Sequence, residues 1–168
     1  MISLICKQYN IKNYTINDDE SIDVNGNVYL NNIKLTKLPL TFNKVSGDFW
    51  CGNNQLTTLK GSPHWVGKNF HCDKNELTDL KFCPKNIGGV FFCYDNRLTS
   101  LEHSPDYVGG DFDCCDNQLT DNFCETEIRG DFYTNKNQEG LVITGYRVEN
   151  YKEWQKLTKR KIILNKII

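Results

Sequence analysis

A sequence unit of twenty-one residues recurs along this chain and constrains its fold more than any other feature. The clearest copies read VSGDFWCGNNQLT, VGKNFHCDKNELT, IGGVFFCYDNRLT and VGGDFDCCDNQLT, and they begin at Val45, Val66, Ile87 and Val108. Columns of phenylalanine, cysteine, asparagine, leucine and proline keep the same spacing. Because a unit this short cannot bury its own apolar side, the copies are expected to stack into a solenoid with a continuous core.

Weaker copies extend the repeat at both ends, so we predict six rungs over residues 22–138. Residues 1–21 are expected to form an N-terminal cap with a short helix over 2–9 and the start of a hairpin over 14–24. Residues 139–168 are expected to form a C-terminal capping segment. In that segment Asn150 and Glu153 resemble a capping box that starts a basic helix.

Within each unit, Phe-x-Cys alternates with a period of two, which predicts a short strand with phenylalanine and cysteine facing the core. The asparagine three residues after the cysteine is expected to end the strand and to hydrogen-bond the backbone of the turn that it starts. The Ser-Pro and Gly-Gly pairs then turn the chain back towards the next rung. The predicted fold is an α/β-type repeat solenoid with a short-stranded parallel sheet and few helices apart from the caps.

The repeat resembles a known family. Phe-x-Cys-x-x-Asn-x-Leu-Thr-x-Leu is similar to the leucine-rich repeat consensus in a short form. The wording SPxxVGGDFxC also resembles repeat proteins encoded by bacteriophages and other large DNA viruses. The resemblance implies a curved, right-handed solenoid that binds a partner on its concave sheet, and it transfers no catalytic residues. The chain departs from the consensus in having cysteine where leucine or valine is usual.

Composition narrows the class of protein. Twenty basic and twenty-one acidic residues argue against a dedicated binder of nucleic acid, although residues 147–168 hold seven of the basic residues and only two glutamates. No stretch approaches the length of a membrane span, so we expect no membrane contact. Eight cysteines without an export signal indicate free thiols in a reducing compartment. The expected location is the cytoplasm, which is the host cytoplasm if the protein is viral.

The pattern of cysteines and histidines does not indicate a metal-binding or catalytic site. Cys51, Cys72, Cys93 and Cys114 recur with the period, and thiols on stacked strands lie in a row rather than at the corners of a tetrahedron. We therefore interpret them as small apolar residues that fill the core. Cys115 is expected to point outward and to react with thiol reagents. The three histidines form no metal or nucleophile motif, and no catalytic residue, metal site or cofactor is predicted.

The outward positions carry the functional signal, because the fold does not dictate them. Exposed aromatic rings are typical of protein interfaces. The residues that we predict to bind a partner are Tyr29, Trp50, His71, Phe92, Tyr94, Asp111, Asp113, Asp131 and Tyr133. The alternative is that the rings stabilise the sheet by cross-strand stacking, or that a terminal segment covers them.

The sequence predicts a non-enzymatic module of viral, phage-like origin that captures a host or viral protein and that could thereby inhibit a host defence protein. One alternative is binding of a nucleotide or glycan on the aromatic stripe. A second is a self-assembling scaffold, with self-association through the apolar and basic residues of the C-terminal helix. That helix otherwise serves only as a cap.

Overall fold

A computed structural model of the chain describes residues 1–120 and 124–134. The elements in chain order are α1 (Ile2–Gln8), β1 (Tyr14–Ile16), β2 (Ile22–Val24), β3 (Val28–Tyr29), β4 (Phe42–Val45), β5 (Phe49–Trp50), β6 (Trp65–Val66), β7 (Phe70–His71), β8 (Asn86–Ile87), β9 (Phe91–Phe92), β10 (Tyr107–Val108), β11 (Phe112–Asp113), β12 (Glu127–Ile128) and β13 (Phe132–Tyr133). The predicted C-terminal helix and the end of the sixth rung lie outside these residues. None of the helical structure described is long or apolar enough to cross a bilayer.

The strands form two sheets that run side by side along the molecule. The first sheet has the order β1-β2-β4-β6-β8-β10-β12, and the second has the order β13-β11-β9-β7-β5-β3. All pairings are parallel except that of β1 with β2. Over the described residues the fold is therefore a parallel β-solenoid of about five turns with few helices.

Each turn contributes two strands, whereas the repeat pattern predicted only one. The additional strand contains the valine and isoleucine column of the repeat, and Val45, Val66, Ile87 and Val108 are fully buried. The glycines that follow this column separate the two strands of a turn at a corner. This column supplies only one apolar position before turn-type residues, whereas Phe-x-Cys supplies two positions with a period of two, so periodicity revealed only the second strand.

Glycine at these corners permits close approach of consecutive turns. The amide of Gly88 donates to the carbonyl of Val66 at 2.9 Å, and the amide of Gly109 donates to Ile87 at 2.9 Å. A Cβ atom at residue 88 would lie 2.9 Å from the carbonyl carbon of Gly67 and closer still to its oxygen. Space rather than backbone conformation therefore requires glycine here.

The core consists of side-chain columns that run the length of the solenoid. Phenylalanine rings pack in sequence, with centroid separations of 5.7 Å for Phe49 and Phe70, 5.8 Å for Phe70 and Phe91, and 4.7 Å for Phe91 and Phe112. The predicted cysteine column lies beside them and is completely buried. Each apolar column is continuous across the turns, so the turns share one core.

Buried asparagines link each turn to the turn before it. The Nδ2 group of Asn96 donates to the carbonyls of Cys72 and Cys93, both at 3.1 Å, and its Oδ1 atom accepts from the amide of Leu77 at 3.0 Å. Asn54, Asn75 and Asn117 repeat this arrangement. The asparagine therefore bonds to backbone groups, as predicted, but these groups lie at the end of its own strand and in the preceding coil rather than in the turn that it starts.

A helix and a hairpin precede the first turn of the solenoid. Helix α1 covers most of the predicted helix, and β1 and β2 form the predicted antiparallel hairpin. Cys6 and Ile11 are buried and join the hydrophobic core. The helix and hairpin thus cover the apolar end of the first turn, as a solenoid needs if it is not to expose core residues.

Candidate functional site: the aromatic face of the second sheet

The outward side chains of the second sheet form one row. The row contains Tyr29, Trp50, His71, Phe92, Asp113 and Tyr133. Each member lies opposite the next in the strand register, as alternation along the strands predicts. We call this row, together with the adjacent outward column Gly52, Asp73, Tyr94 and Cys115, the aromatic face. Partner binding by these residues stays a prediction.

The rings of the aromatic face pack against one another instead of standing free in water. Centroids of Trp50 and His71 lie 4.4 Å apart in a stacked arrangement, and those of His71 and Phe92 lie 4.8 Å apart edge to face. Tyr29 contacts the edge of Trp50 at 6.0 Å. Tyr29 is 56% exposed, whereas the other rings of the row are partly buried. Neighbouring rings therefore hold each other in fixed positions.

An open depression of about 320 Å³ lies in the middle of the aromatic face. Its wall and floor include Trp50, Gly52, Asp73, Phe92 and Tyr94. Gly52 stands in a column where the following turns carry Asp73, Tyr94 and Cys115, and the carboxylate of Asp73 packs into the space that a side chain at Gly52 would occupy. The sequence prediction did not include Gly52 or Asp73, although the exchange of a large side chain for glycine within one column is a signal that could have found them.

The polar groups of the depression centre on Asp73. The Nδ1 atom of His71 lies 3.6 Å from Oδ1 of Asp73, and only 13% of the Asp73 side chain is exposed. Burial, followed by the charge of Asp73 and a hydrogen bond to it, raises the pKa of Tyr94. The Tyr94 hydroxyl therefore remains protonated and serves as a donor to the carboxylate.

A second feature of the depression is an unsatisfied donor. Within residues 1–120 and 124–134, the buried indole N–H of Trp50 has no hydrogen-bond acceptor. A buried donor without an acceptor costs about 1 to 3 kcal/mol. Because the N–H is itself shielded from solvent, a bound group could reach it only if neighbouring side chains moved.

Two of the predicted binding residues have a structural role at the corner between the sheets. Oδ1 of Asp111 accepts from the amide of Asp131 at 2.8 Å, and Oδ2 of Asp131 accepts from the hydroxyl of Tyr133 at 3.2 Å. Asn27, Asp48 and Asn69 cap the amide one turn later in the same way. This backbone contact explains why Asp or Asn recurs in that column, so no binding partner is needed to explain it.

The structure places the cysteines largely as expected. Burial raises the pKa of the Cys51, Cys72 and Cys93 thiols, which makes them poor nucleophiles. Cys83 and Cys124, whose positions the sequence left open, are buried as well. Among the described residues, no cluster of three or more histidine, cysteine, aspartate or glutamate side chains is arranged to hold a metal ion.

Cys115 lies on the aromatic face and is partly exposed, but its reactivity is expected to be low near neutral pH. Burial, then a hydrogen bond with Asp113 and the charges of Asp113 and Asp116, raises its pKa to about 12. Since the thiolate fraction changes tenfold per pH unit below the pKa, its alkylation by iodoacetamide should accelerate about tenfold per unit from about pH 7 to about pH 10.

Asp113→Asn should increase the alkylation rate of Cys115 several-fold at about pH 8, because it removes a charge that disfavours the thiolate. Asp106→Asn, at an exposed carboxylate paired with Lys85, is the matched control and should leave the rate unchanged. Peptide mapping by mass spectrometry gives the rate at Cys115 alone. A rate that levels off below about pH 9 would show that the thiol titrates normally.

Fold and site together define a parallel β-solenoid that carries a row of packed aromatic side chains on one of its two sheets. No protein-family model matches the chain, and neither a curated protein nor a solved structure matches it.

Proposed function

We propose that this protein is a non-enzymatic, leucine-rich-repeat-like binding module that captures a partner protein on its aromatic face. The observation that carries the proposal is the continuous row from Tyr29 through Trp50 and His71 to Phe92, on the solvent side of the second sheet. Truncation to alanine of a large aromatic side chain near the centre of an interface commonly costs about 2 kcal/mol or more of binding free energy.

The packing of the row favours binding over a purely structural role. The core already contains its own phenylalanine column, so the sheet does not need a second row of rings to form. Rings that are fixed before binding lose little conformational entropy when a partner covers them. The face is also rich in carboxylates, which supports a protein partner over a nucleic acid.

The resemblance of the repeat to viral repeat proteins supports a host or viral protein as the partner, in the host cytoplasm. The biological role that we propose for a module of this size is to capture a host defence protein and to block one surface of that protein. Its mechanism requires no chemical step, because a covered surface is unavailable to other proteins.

Replacing both Trp50 and Phe92 by serine is expected to abolish capture of the partner while leaving the fold intact. The test is affinity capture, with immobilised chain, from a lysate of cells that carry the gene or of their host. The matched control replaces Trp65 and Tyr107, which lie on the outer side of the first sheet. Capture should survive the control substitutions, with circular dichroism showing both variants folded.

Equal loss of the captured protein in both double variants would remove the aromatic face from the explanation. Equal retention of the captured protein in both double variants would also show that the aromatic face is not responsible for capture. Only a selective loss in the Trp50 and Phe92 variant supports the proposal.

The depression beside Trp50 favours one second candidate, the binding of a small planar molecule such as a nucleotide or a glycan. Its rings offer stacking surfaces and its polar groups offer hydrogen bonds. A thermal-shift screen with nucleotides and sugars tests this function, since a ligand that binds only the folded chain raises the melting temperature. A large shift that Trp50→Ser removes would displace protein capture as the primary function.

A further inference from the structure

Within residues 1–120 and 124–134, Asp73 is a nearly buried carboxylate that has no permanent cation beside it. Among the described residues its ion-pair partner is His71, at 3.6 Å, and the imidazole carries a charge only when protonated. The Tyr94 hydroxyl, a neutral donor, also bonds to it. A carboxylate offers about four acceptor sites, so this group retains capacity for a further donor. Burial of a charge that lacks an opposite charge is unfavourable, and a cationic ligand would relieve it.

The rings around Asp73 form a surface suited to a cation. A cation within about 6 Å of an aromatic centroid is attracted by the negative face of the ring. The chain already shows this preference, because the ammonium group of Lys74 lies 5.8 Å from the centroid of Tyr94. Phe92 and Tyr94 meet edge to face at 6.0 Å, so two rings of different orientation border the same space.

The charge around the depression is strongly negative. Asp73, Asp95 and Asp113 all act electrostatically on Tyr94, and Asp113 and Asp116 act on Cys115. Lys74 is the cationic residue that lines the depression. Complementary potentials steer partners and select among them, so this face favours a positively charged one.

We propose that the aromatic face takes a basic segment of the partner protein, and that an arginine of that segment occupies the depression between Trp50 and Tyr94 with its guanidinium against Asp73. This inference rests on the proposed function and specifies the chemistry of the partner. Arginine suits the site better than lysine, because its planar guanidinium stacks on rings and pairs with a carboxylate through two parallel hydrogen bonds. Lys74 is a weak internal competitor for the same rings.

Two synthetic peptides test the proposal on the full chain. One carries three arginines in a glycine and serine background, and the other carries the neutral isostere citrulline in their place. We expect the arginine peptide to bind about tenfold more tightly than its twin, as measured by calorimetry at low ionic strength. The affinity of the arginine peptide should be lower at about 0.15 M salt than at low ionic strength, because charges more than roughly 8 Å apart are then screened. In NMR spectra the indole resonance of Trp50 should move, and that of Trp65 should not.

Variants separate the role of Asp73 from general electrostatics. Asp73→Asn should lower the affinity for the arginine peptide about fivefold or more, whereas Asp106→Asn should leave that affinity unchanged. Lys74→Gln should strengthen binding about two- to threefold, since it removes the internal competitor. Lys44→Gln, on the outer side of the first sheet, is its matched control and should have no effect. The gain with Lys74→Gln keeps the test decisive even if Asp73→Asn folds poorly.

Equal affinity for the two peptides would overturn the proposal, as would equal effects of Asp73→Asn and Asp106→Asn. If neither peptide binds while capture of the partner still depends on Trp50 and Phe92, the inference about a basic partner is wrong and the proposed function stands. If neither peptide binds and capture does not depend on those rings, both are wrong.

Discussion

Replacing Asn96 by alanine is expected to lower the free energy of unfolding by about 4 kcal/mol. The substitution leaves the buried amide of Leu77 without its acceptor and removes two donors from the carbonyls of Cys72 and Cys93. An orphaned buried amide costs about 2 kcal/mol, and each lost hydrogen bond about 1 kcal/mol. Urea unfolding followed by far-UV circular dichroism measures the difference.

The control for this substitution is Asn86→Ala, at an exposed position of β8, where the expected change is below about 0.5 kcal/mol. Asn75→Ala should reproduce the effect of Asn96→Ala, because Asn75 makes the same contacts one turn earlier. A loss below about 1 kcal/mol in both would show that the buried asparagines do not hold the turns together.

Replacing Gly88 by alanine is expected to lower the free energy of unfolding by about 3 kcal/mol. The new methyl group would lie 2.9 Å from the carbonyl carbon of Gly67, and its other nearest neighbours are also backbone atoms. Backbone cannot rotate away as a side chain can, so the two turns would have to separate and lengthen the bond from the Gly88 amide to Val66.

Gly52→Ala provides the comparison. A Cβ atom there would lie 2.9 Å from Oδ1 of Asp73, which is the end of a side chain, and 3.1 Å from the Asp73 carbonyl oxygen. The expected loss is about 1 kcal/mol, because the carboxylate can move. The same methyl group would narrow the depression, so ligand binding should suffer more than stability. An equal loss of stability for the two glycines would contradict the close-approach argument.

The general architecture followed from the sequence because the repeat makes each rung a copy of the next. Phe91 and Cys93 recur at one spacing, so the same alternation predicts the same inward face in every rung. That the recurring asparagine bonds to backbone groups was also predictable, since its offset from the cysteine is constant, but its bridge to the preceding coil was not. Both inferences need only local geometry and the requirement that apolar faces meet.

The first sheet escaped prediction because each of its strands contributes one recurring apolar residue, whereas the second sheet has the alternating pair Phe-x-Cys. Val66 and Ile87 recur with the period, but the glycines next to them are also typical of turns. Whether a glycine is present for its conformation or for space depends on the distance to the neighbouring turn. That distance is a tertiary property, and it appears only once the turns are stacked.

The sequence predicts which side chains of the candidate site lie in one outward row, but it does not predict the packing of the rings or the depression between them. Alternation places Trp50, His71 and Phe92 on one side of the sheet, but it does not say that the rings cover each other. The lining of the depression depends on the orientation of Asp73, whose carboxylate packs against Gly52. Likewise, the role of Asp111 as a cap for a backbone amide depends on its contact with the following turn.

The equivalence of the contacts between turns has a consequence for how such a gene can change. The junctions made by Asn75, Asn96 and Asn117 use the same contacts, so in this central part of the solenoid the upper surface of one coil fits the lower surface of another. Unequal recombination that inserts or deletes one whole unit therefore leaves no mismatched seam. The length of the exposed row can then grow or shrink stepwise, while substitutions at its outward positions retune recognition without touching the interior.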